Sequence, residues 1–402
     1  MSPDQWMLDH YDHEKPILGL ERLDQYFERF KDKFKSVKII TVAGTNGKGE
    51  TCFALESLLI TNGYKTALWS SPHITSITER FRFCGVQIGE QQLLEHFKKL
   101  GNLALSYYEF LFLAFCDLCS VKKIDVIILE VGLGGRLDAV NYFDADLSCI
   151  TSISRDHQAI LGNSYKKILN EKIGISRTSR PLVTCFQQSY LKDLTEKYCK
   201  AHRVNHFDLI DSGFLTGNDP YPRVNKMLAL ALSHLLTHKN LQNMDLKQLN
   251  HIPSFFNSRR EKMTFGSKEV ELIGAHNLDG FRKLIEYLYK NRGDDWKKYD
   301  TIVLSFSQRP IEDIVASLKC LMKEKKLFGS IKLTSFNHSK AMAWKNLKEL
   351  PTFGNVEVFK TPDFRDCFKD PHRPEKILVL GSYYFIGELK RYFSDETKSN
   401  QI

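Results

Sequence analysis

No stretch of the 402-residue chain approaches the ~18 uninterrupted apolar residues of a membrane-spanning helix. The opening MSPDQWMLDHYDHEKP is acidic and polar where an export signal carries an apolar core. Both absences argue against a membrane protein and for a cytoplasmic one. There is no internal repeat, no low-complexity segment and no block of like charge. The formal charge of +9, from 57 basic and 48 acidic residues, is spread along the chain; it suits anionic ligands and gives nucleic-acid binding little support. A disulfide framework is also missing. The nine cysteines are scattered and odd in number, mostly in apolar surroundings, as expected for small hydrophobes in a reducing compartment. Cys116 and Cys119 form the only CxxC, behind Phe112-Leu113-Ala114-Phe115, with no second Cys or His pair nearby. The reading there is core packing, ahead of metal or redox chemistry.

What is present is the balance of a soluble protein, 42% hydrophobic and 26% charged, at a length that fits two or three domains. Short runs rich in Val, Ile and Leu at Val37 to Ala43, Thr66 to Trp69, Val126 to Leu129 and Ser148 to Ile153 mostly lack clean alternation. Such runs indicate strands buried on both faces of a parallel sheet. Between them, Thr51 to Thr61, Gln91 to Leu100 and Glu109 to Ser120 have helical spacing, so the fold class is α/β. The alternation restarts after Phe256: strands at Val270 to Ile273, Thr301 to Phe306, Ile331 to Ser335, Val356 to Phe359 and Lys376 to Leu380, with helices at Asp279 to Tyr289, Ile311 to Met322 and Phe385 to Phe393. The boundary between domains 1–256 and 257–402 is placed in the Pro253 to Ser258 segment, and the polar tail from Ser394 is expected to fray.

The strand Lys38 to Ala43 runs directly into Gly44-Thr45-Asn46-Gly47-Lys48-Gly49, with a helix expected from about Glu50. Glycines let backbone amides turn toward one point, the helix N-terminus adds positive potential, and Lys48 supplies a mobile cation. The order suits a phosphate cradle, although Val42 stands where the usual spacing has its first Gly. A second strand ends in Glu130-Val131-Gly132-Leu133-Gly134-Gly135-Arg136-Leu137-Asp138. A carboxylate at the carboxyl end of a buried strand, beside a phosphate loop, is placed to hold Mg²⁺. The alternative is a buried Glu130 paired with a base such as Arg136. A third strand delivers Asp156-His157 to the same rim.

GTNGKG, Ser70-Ser71-Pro72-His73 with Glu79-Arg80, EVGLGGRLDA, Asp156-His157 and Glu171-Lys172-Ile173-Gly174 occur in one order. With Leu18-Gly19-Leu20-Glu21-Arg22, Gly274-Ala275-His276-Asn277 and Gly381-Ser382, the chain closely resembles the folylpolyglutamate synthase and dihydrofolate synthase family, a branch of the Mur ligase superfamily. The resemblance implies a P-loop, Mur-ligase-like N-terminal domain binding ATP and folate, and a smaller Rossmann-like C-terminal domain carrying the glutamate ligase function. It also implies an ATP-dependent amide ligase that adds L-glutamate to dihydropteroate, to a folate or to both, through an acyl phosphate. By position Ser71, Glu130 and His157 match the family's magnesium ligands, and Lys172 the lysine whose carbamate serves a second Mg²⁺. Lys48, His157 and Lys172 are the catalytic candidates. Gly44, Thr45, Asn46, Gly47, Lys48, Gly49, Glu50 and Thr51, with Asn225, Arg259 and His276, match the ATP site. Tyr107, Tyr108, Glu109, Leu137, Asp138 and Ala139 align with the pterin-lining segments, as do Lys15 to Leu18; for the two tyrosines core packing is an equal reading. Domain closure is expected to bring Arg259 and His276 onto the nucleotide. The implied partners are small molecules, with no nucleic acid or membrane, and the implied state is a monomer.

Five residues at four places depart from the pattern. Glu50 replaces the usual Ser, Ile273 an Asp, Asn257-Ser258 a Pro-Gly, and Pro222 a Gln. At the first, either Thr51 supplies the hydroxyl, Glu50 itself binds Mg²⁺, or nucleotide binding is weakened. Because these changes cluster on the nucleotide side, a degenerate member that binds folate or a partner without turnover is the alternative reading, followed by a ligase for another carboxylate.

Overall fold

The computed structural model describes residues 1–11, 19–253, 260–291, 299–324, 328–350, 358–369, 373 and 375–399. The chain divides into two compact units, Met1–Phe255 and Phe256–Ile402.

The first unit is built on β1 (Lys38–Ala43), β2 (Thr66–Trp69), β3 (Phe81–Phe83), β4 (Val86–Gln87), β5 (Val126–Glu130), β6 (Leu147–Ile150), β7 (Pro181–Thr184) and β8 (Asn205–Asp208), in the order β4-β3-β2-β5-β1-β6-β7-β8. From β2 to β8 all neighbours are parallel; the hairpin β3–β4 adds antiparallel strands at one edge. Alternate residues point to opposite faces. Ile39, Ala43, Trp69, Ile127 and Leu129 join a core dense in aromatics, among them Phe27, Phe30, Phe110, Phe112 and Phe115. Ile40, Val42, Leu68, Val126 and Ile128 join an aliphatic core with Leu55, Leu59, Leu228 and Ala231 from the helices Lys48–Thr61 and Tyr221–Leu235. Glu130 shares the parity of Val126 and Ile128. It therefore ends β5 on the face covered by the helix that follows β1.

The second unit has β9 (Arg260–Phe265), β10 (Lys268–Ile273), β11 (Tyr299–Ser305), β12 (Phe328–Thr334), β13 (Val358–Thr361) and β14 (Glu375–Gly381), in the order β13-β12-β11-β14-β10-β9. Only the β9–β10 pair is antiparallel, and the helices Leu278–Asn291, Ile311–Met322 and Tyr383–Ser399 accompany the sheet. Both outer strands carry charge. Arg260, Glu261 and Lys262 open β9, and Lys360 in β13 donates from Nζ to the carbonyl of Lys348 at 3.0 Å.

Several element boundaries differ from expectation, and three of them bear on the site or the tail. The strand expected from Ser148 to Ile153 ends at Ile150, because Thr151 onward turns to bond the loop after β1. The helix expected from Glu50 begins at Lys48, directly after left-handed Gly47. The tail expected to fray from Ser394 remains helical to Ser399, with the Ser394 hydroxyl donating to the Lys390 carbonyl at 2.9 Å. Cys116 and Cys119 are buried, and burial pushes both thiols well above the ordinary range, as core residues require. Among the described residues no helix is long and apolar enough to cross a membrane.

Candidate active site

Strand register assembles the site. Val42 pairs with Glu130, Trp69 with Leu129, and Ala43 with Ile150, so the loops after β1, β2, β5 and β6 leave the sheet side by side. Ligands of open parallel sheets bind at these carboxyl ends. After β1, Gly44 adopts φ 150° and Gly47 φ 91°. Neither could carry a side chain: a Cβ on Gly44 would lie 1.9 Å from Thr151 Oγ1, and one on Gly47 2.6 Å from Asn225 Oδ1. Gly47 offers no side-chain cap to the helix it starts. The first amides of that helix have no intrahelical acceptor and present partial positive charge to an anion.

Two lysines converge on one carbonyl. Lys48 Nζ donates to the oxygens of Gly44 (3.0 Å) and Thr45 (3.2 Å), and Lys172 Nζ donates to Gly44 O at 3.0 Å. Lys172 ends a helix, Tyr165–Ile173, that is fastened to the loop after β5: Arg136 N donates to Glu171 O at 2.7 Å, and the Arg136 guanidinium pairs with the Glu171 carboxylate at 2.8 Å. Burial, then the charge of Lys48, lowers the Lys172 amine from 10.5 to about 7, against the opposing pull of Asp156 and Asp138. A large part of this amine is neutral near pH 7. Arg136 is thus committed to Glu171.

Glu130 is fully buried, and its Oε2 accepts the backbone N–H of Ser71 at 3.1 Å. The loop that carries Ser71 is held from below by Glu79, whose carboxylate accepts from the amides of Ile74 (2.8 Å), Thr75 (2.7 Å) and Ser76 (3.0 Å). Buried Arg80 donates from Nε to His73 Nδ1 at 2.9 Å. His157 is exposed, at φ 50°, where it precedes the short helix Gln158–Leu161. Among the described residues no three His, Cys, Asp or Glu side chains converge. The donors that fit a hard dication are the oxygens of Glu130 and Ser71. Buried Thr51 Oγ1, in the first turn of the phosphate-loop helix, adds a hydroxyl with no hydrogen-bond partner.

The opposite wall is bonded inward. Asp138 accepts from the amides of Gly132 and Leu133 (2.9 Å each), from Val140 N (3.1 Å) and from the Tyr108 hydroxyl (3.1 Å). Tyr108 also accepts from Trp69 Nε1 at 3.2 Å, and burial pushes its hydroxyl well above the usual range. Burial raises the Asp138 carboxyl despite its donors. Glu109 closes a capping box with Ser106, taking Ser106 N at 2.9 Å, and pairs with Arg22. Tyr107 and Ala139 are buried and Leu137 half-buried.

No family model matches the chain. A dihydrofolate synthase/folylpolyglutamate synthase of Buchnera aphidicola (subsp. Baizongia pistaciae) is 38% identical over 422 residues, covering 99% of this chain and 97% of its own. Another, from Buchnera aphidicola (subsp. Schizaphis graminum), is 31% identical over 395 residues, covering 92% and 89%. The chain belongs to the dihydrofolate synthase/folylpolyglutamate synthase family. As a member it is an ATP-dependent ligase of Mur-ligase-like α/β fold. The bifunctional Yersinia pestis enzyme of this family, solved with AMPPNP and a Mn ion, is 28% identical with a TM-score of 0.76 over 98% of each chain. A further structure of a bifunctional folylpolyglutamate synthase/dihydrofolate synthase, with Mn, AMPPNP and L-glutamate bound, is 26% identical with the same score and coverage.

Within this dihydrofolate synthase/folylpolyglutamate synthase fold, the Glu50 departure has a local partner. Its Oε2 accepts from Asn225 Nδ2 at 2.6 Å, so Asn225 is buried against the phosphate loop and not open to solvent. Arg259, with Lys15 to Leu18, lies outside the described residues. His276 follows β10 in the second unit, half-buried, its Nδ1 3.1 Å from Gly274 O and its ring edge-on to Tyr383 at 5.4 Å. Sequence reasoning passed over Thr151, Ser152 and Ser154 as the end of a strand, although three hydroxyl residues in four after an apolar run were a visible signal.

Proposed function

We propose that the chain joins L-glutamate to dihydropteroate, to a reduced folate, or to both, in the first unit's site at the carboxyl ends of β2, β5, β1 and β6. The observation that supports this reading most is the pair of lysine side chains, Lys48 and Lys172, whose Nζ atoms donate to the Gly44 carbonyl at the head of a helix with no side-chain cap. A phosphate oxygen is a stronger acceptor than a neutral carbonyl, so bound ATP draws Lys48 from Gly44 and Thr45 onto its outer phosphates. The acceptor carboxylate is a poor electrophile. Its oxygen takes the γ-phosphoryl group, ADP leaves, and an acyl phosphate results. The glutamate amine then attacks the acyl carbon, phosphate departs with the electron pair of the C–O bond, and the amine loses a proton. Lys48 and the helix amides hold the phosphoryl oxygens in place as charge moves among them.

Glu130 and Ser71 are the residues that would hold Mg²⁺, with His157 added by the family resemblance, and the ion would offset charge on the transferring group. Carbamylation of Lys172 fits the same reading, because addition to CO₂ needs the neutral amine that burial provides. An unmodified ammonium there cannot ligate a second ion. Tyr108, Asp138, Leu137 and Ala139 belong to the pterin side, and the chain works as a cytoplasmic monomer.

The test is ADP release by the purified chain with Mg-ATP, glutamate, and either dihydropteroate or tetrahydrofolate. Release that requires both acceptor and glutamate is expected, and the acceptor that works names the substrate. Folate binding without any release would overturn the reading in favour of a non-catalytic binder.

A further inference from the structure

The loop after β6 grips the loop after β1 through a compact set of hydroxyl and backbone bonds. Ser152 O accepts from Thr45 N at 2.8 Å. Ser152 Oγ accepts from Asn46 N at 2.9 Å and donates to Asn46 O at 2.9 Å, which uses its one proton and one lone pair. Thr151 Oγ1 donates to the same Asn46 oxygen at 2.6 Å. Thr45 Oγ1 accepts from Ser154 N at 3.0 Å and donates to Ser154 O at 3.2 Å. Asn46 N and Asn46 O belong to the two peptide units that flank one Cα. A single serine hydroxyl therefore fixes both backbone dihedrals of Asn46, immediately before the left-handed Gly47 from which the helix starts. The close approach of Thr151 to Gly44 closes the arrangement from the other side.

This bonding diverts the amides of Thr45 and Asn46 away from any anion. It leaves phosphate recognition to the amides at the start of the Lys48–Thr61 helix and to Lys48. A flexible glycine-rich loop would have to be ordered when nucleotide binds, and that entropy would be lost from affinity. We propose that Ser152, assisted by Thr151, is a positioning residue that holds the phosphate loop in its nucleotide-binding form before ATP arrives, and so sets nucleotide affinity while leaving phosphoryl transfer untouched. The proposal rests on the ligase reading only for its kinetic readout.

The experiment is Ser152→Ala in the full chain, with Mg-ADP as the probe for calorimetric binding and amide hydrogen exchange followed without nucleotide. The Kd for ADP is expected to rise about tenfold, and KM for ATP with it, while kcat at saturating ATP stays within about twofold of wild type. Exchange at Asn46 N–H should accelerate while Ile40 and Val42 in β1 keep wild-type protection. Ser152→Thr, which retains the hydroxyl, should restore most of the affinity. Thr151→Val removes one donor and keeps the shape; it should raise Kd about threefold, and it reads the same clasp if the alanine variant does not fold. Unchanged ADP affinity in both variants would overturn the proposal. So would a loss confined to kcat, or faster exchange throughout β1, which marks general loosening. Binding and exchange need neither acceptor nor glutamate, so a wrong acceptor assignment would leave both results readable.

Discussion

Around Gly44 the polar side chains are lysine amine and hydroxyl groups, most of which donate to backbone carbonyls; on the other side Asp138 is a carboxylate that accepts from backbone amides. The two regions sit at the same end of one sheet. An incoming triphosphate can replace a carbonyl oxygen on Lys48, because the carbonyl loses little and the ammonium gains a charged partner. A substrate cannot take the Asp138 oxygens in the same way. The amides of Gly132, Leu133 and Val140 would be left without acceptors in the interior, at a desolvation cost for each. Residues of the first kind are free to change partners during a reaction. Those of the second kind shape the wall against which the reaction occurs.

Substitutions can sharpen or break that contrast. Lys48→Ala should cost the most: about a thousandfold in glutamate-dependent ADP release, with the thermal midpoint close to wild type. A large fall in midpoint would put Lys48 among the structural residues. Asp138→Ala should do the reverse, destabilising the chain by about 3 kcal/mol in urea unfolding through its lost amide partners. Full stability with lost turnover would make Asp138 a substrate contact and erase the distinction.

Lys172 sits between the two classes, and pH separates its contributions. Its folded amine titrates at about 7 and the unfolded one at 10.5, so between these values the unfolded chain binds a proton that the folded chain does not. The group therefore lowers stability, fully below pH 7, and the deficit fades as pH rises toward 10.5. Lys172→Met should stabilise the nucleotide-free chain by about 2 kcal/mol at pH 7, after allowance for the lost bond to Gly44, and by progressively less above it. A gain independent of pH would refute the buried neutral amine. The smallest effect is expected at Glu50. Glu50→Ser should tighten ADP binding about threefold by removing a carboxylate near the phosphates, and lower stability by about 1 kcal/mol because Asn225 Nδ2 loses its acceptor. Weaker binding in that variant would assign the Glu50 carboxylate to the nucleotide site.

The parallel strands were legible because Ile39-Ile40, Ile127-Ile128 and Ile377-Leu378 sit in runs too apolar for a half-exposed surface. The strands that escaped notice are short, mixed or charged: Asn205–Asp208, Pro181–Thr184, the hairpin Phe81–Gln87 and Arg260–Phe265. Their pairing is decided by neighbours, which no local pattern displays. Much of the site was legible for a related reason. Gly44, Lys48 and Glu130 follow strand ends directly, and a strand end is a position that sequence reveals. Which oxygen bonds which amide was not legible. The Tyr108 bond to Asp138 and the clasp of Ser152 on Asn46 each join residues far apart in sequence, whereas the Glu109 capping box closes within three residues.

The edges of the two sheets carry a consequence for the molecule at high concentration. An exposed strand with open amides and carbonyls is a template on which another chain can add, and natural sheets blunt it with brevity or charge. The first sheet stops at β4, only two residues long, and at the four-residue β8. The second stops at β9, where Arg260, Glu261 and Lys262 follow one another, and at β13, where Lys360 reaches back to cover carbonyls. Copies crowded together in a cell thus meet at margins that give a fibril little to grow from, and Lys262→Val, by lengthening the apolar part of β9, is the change that would invite one.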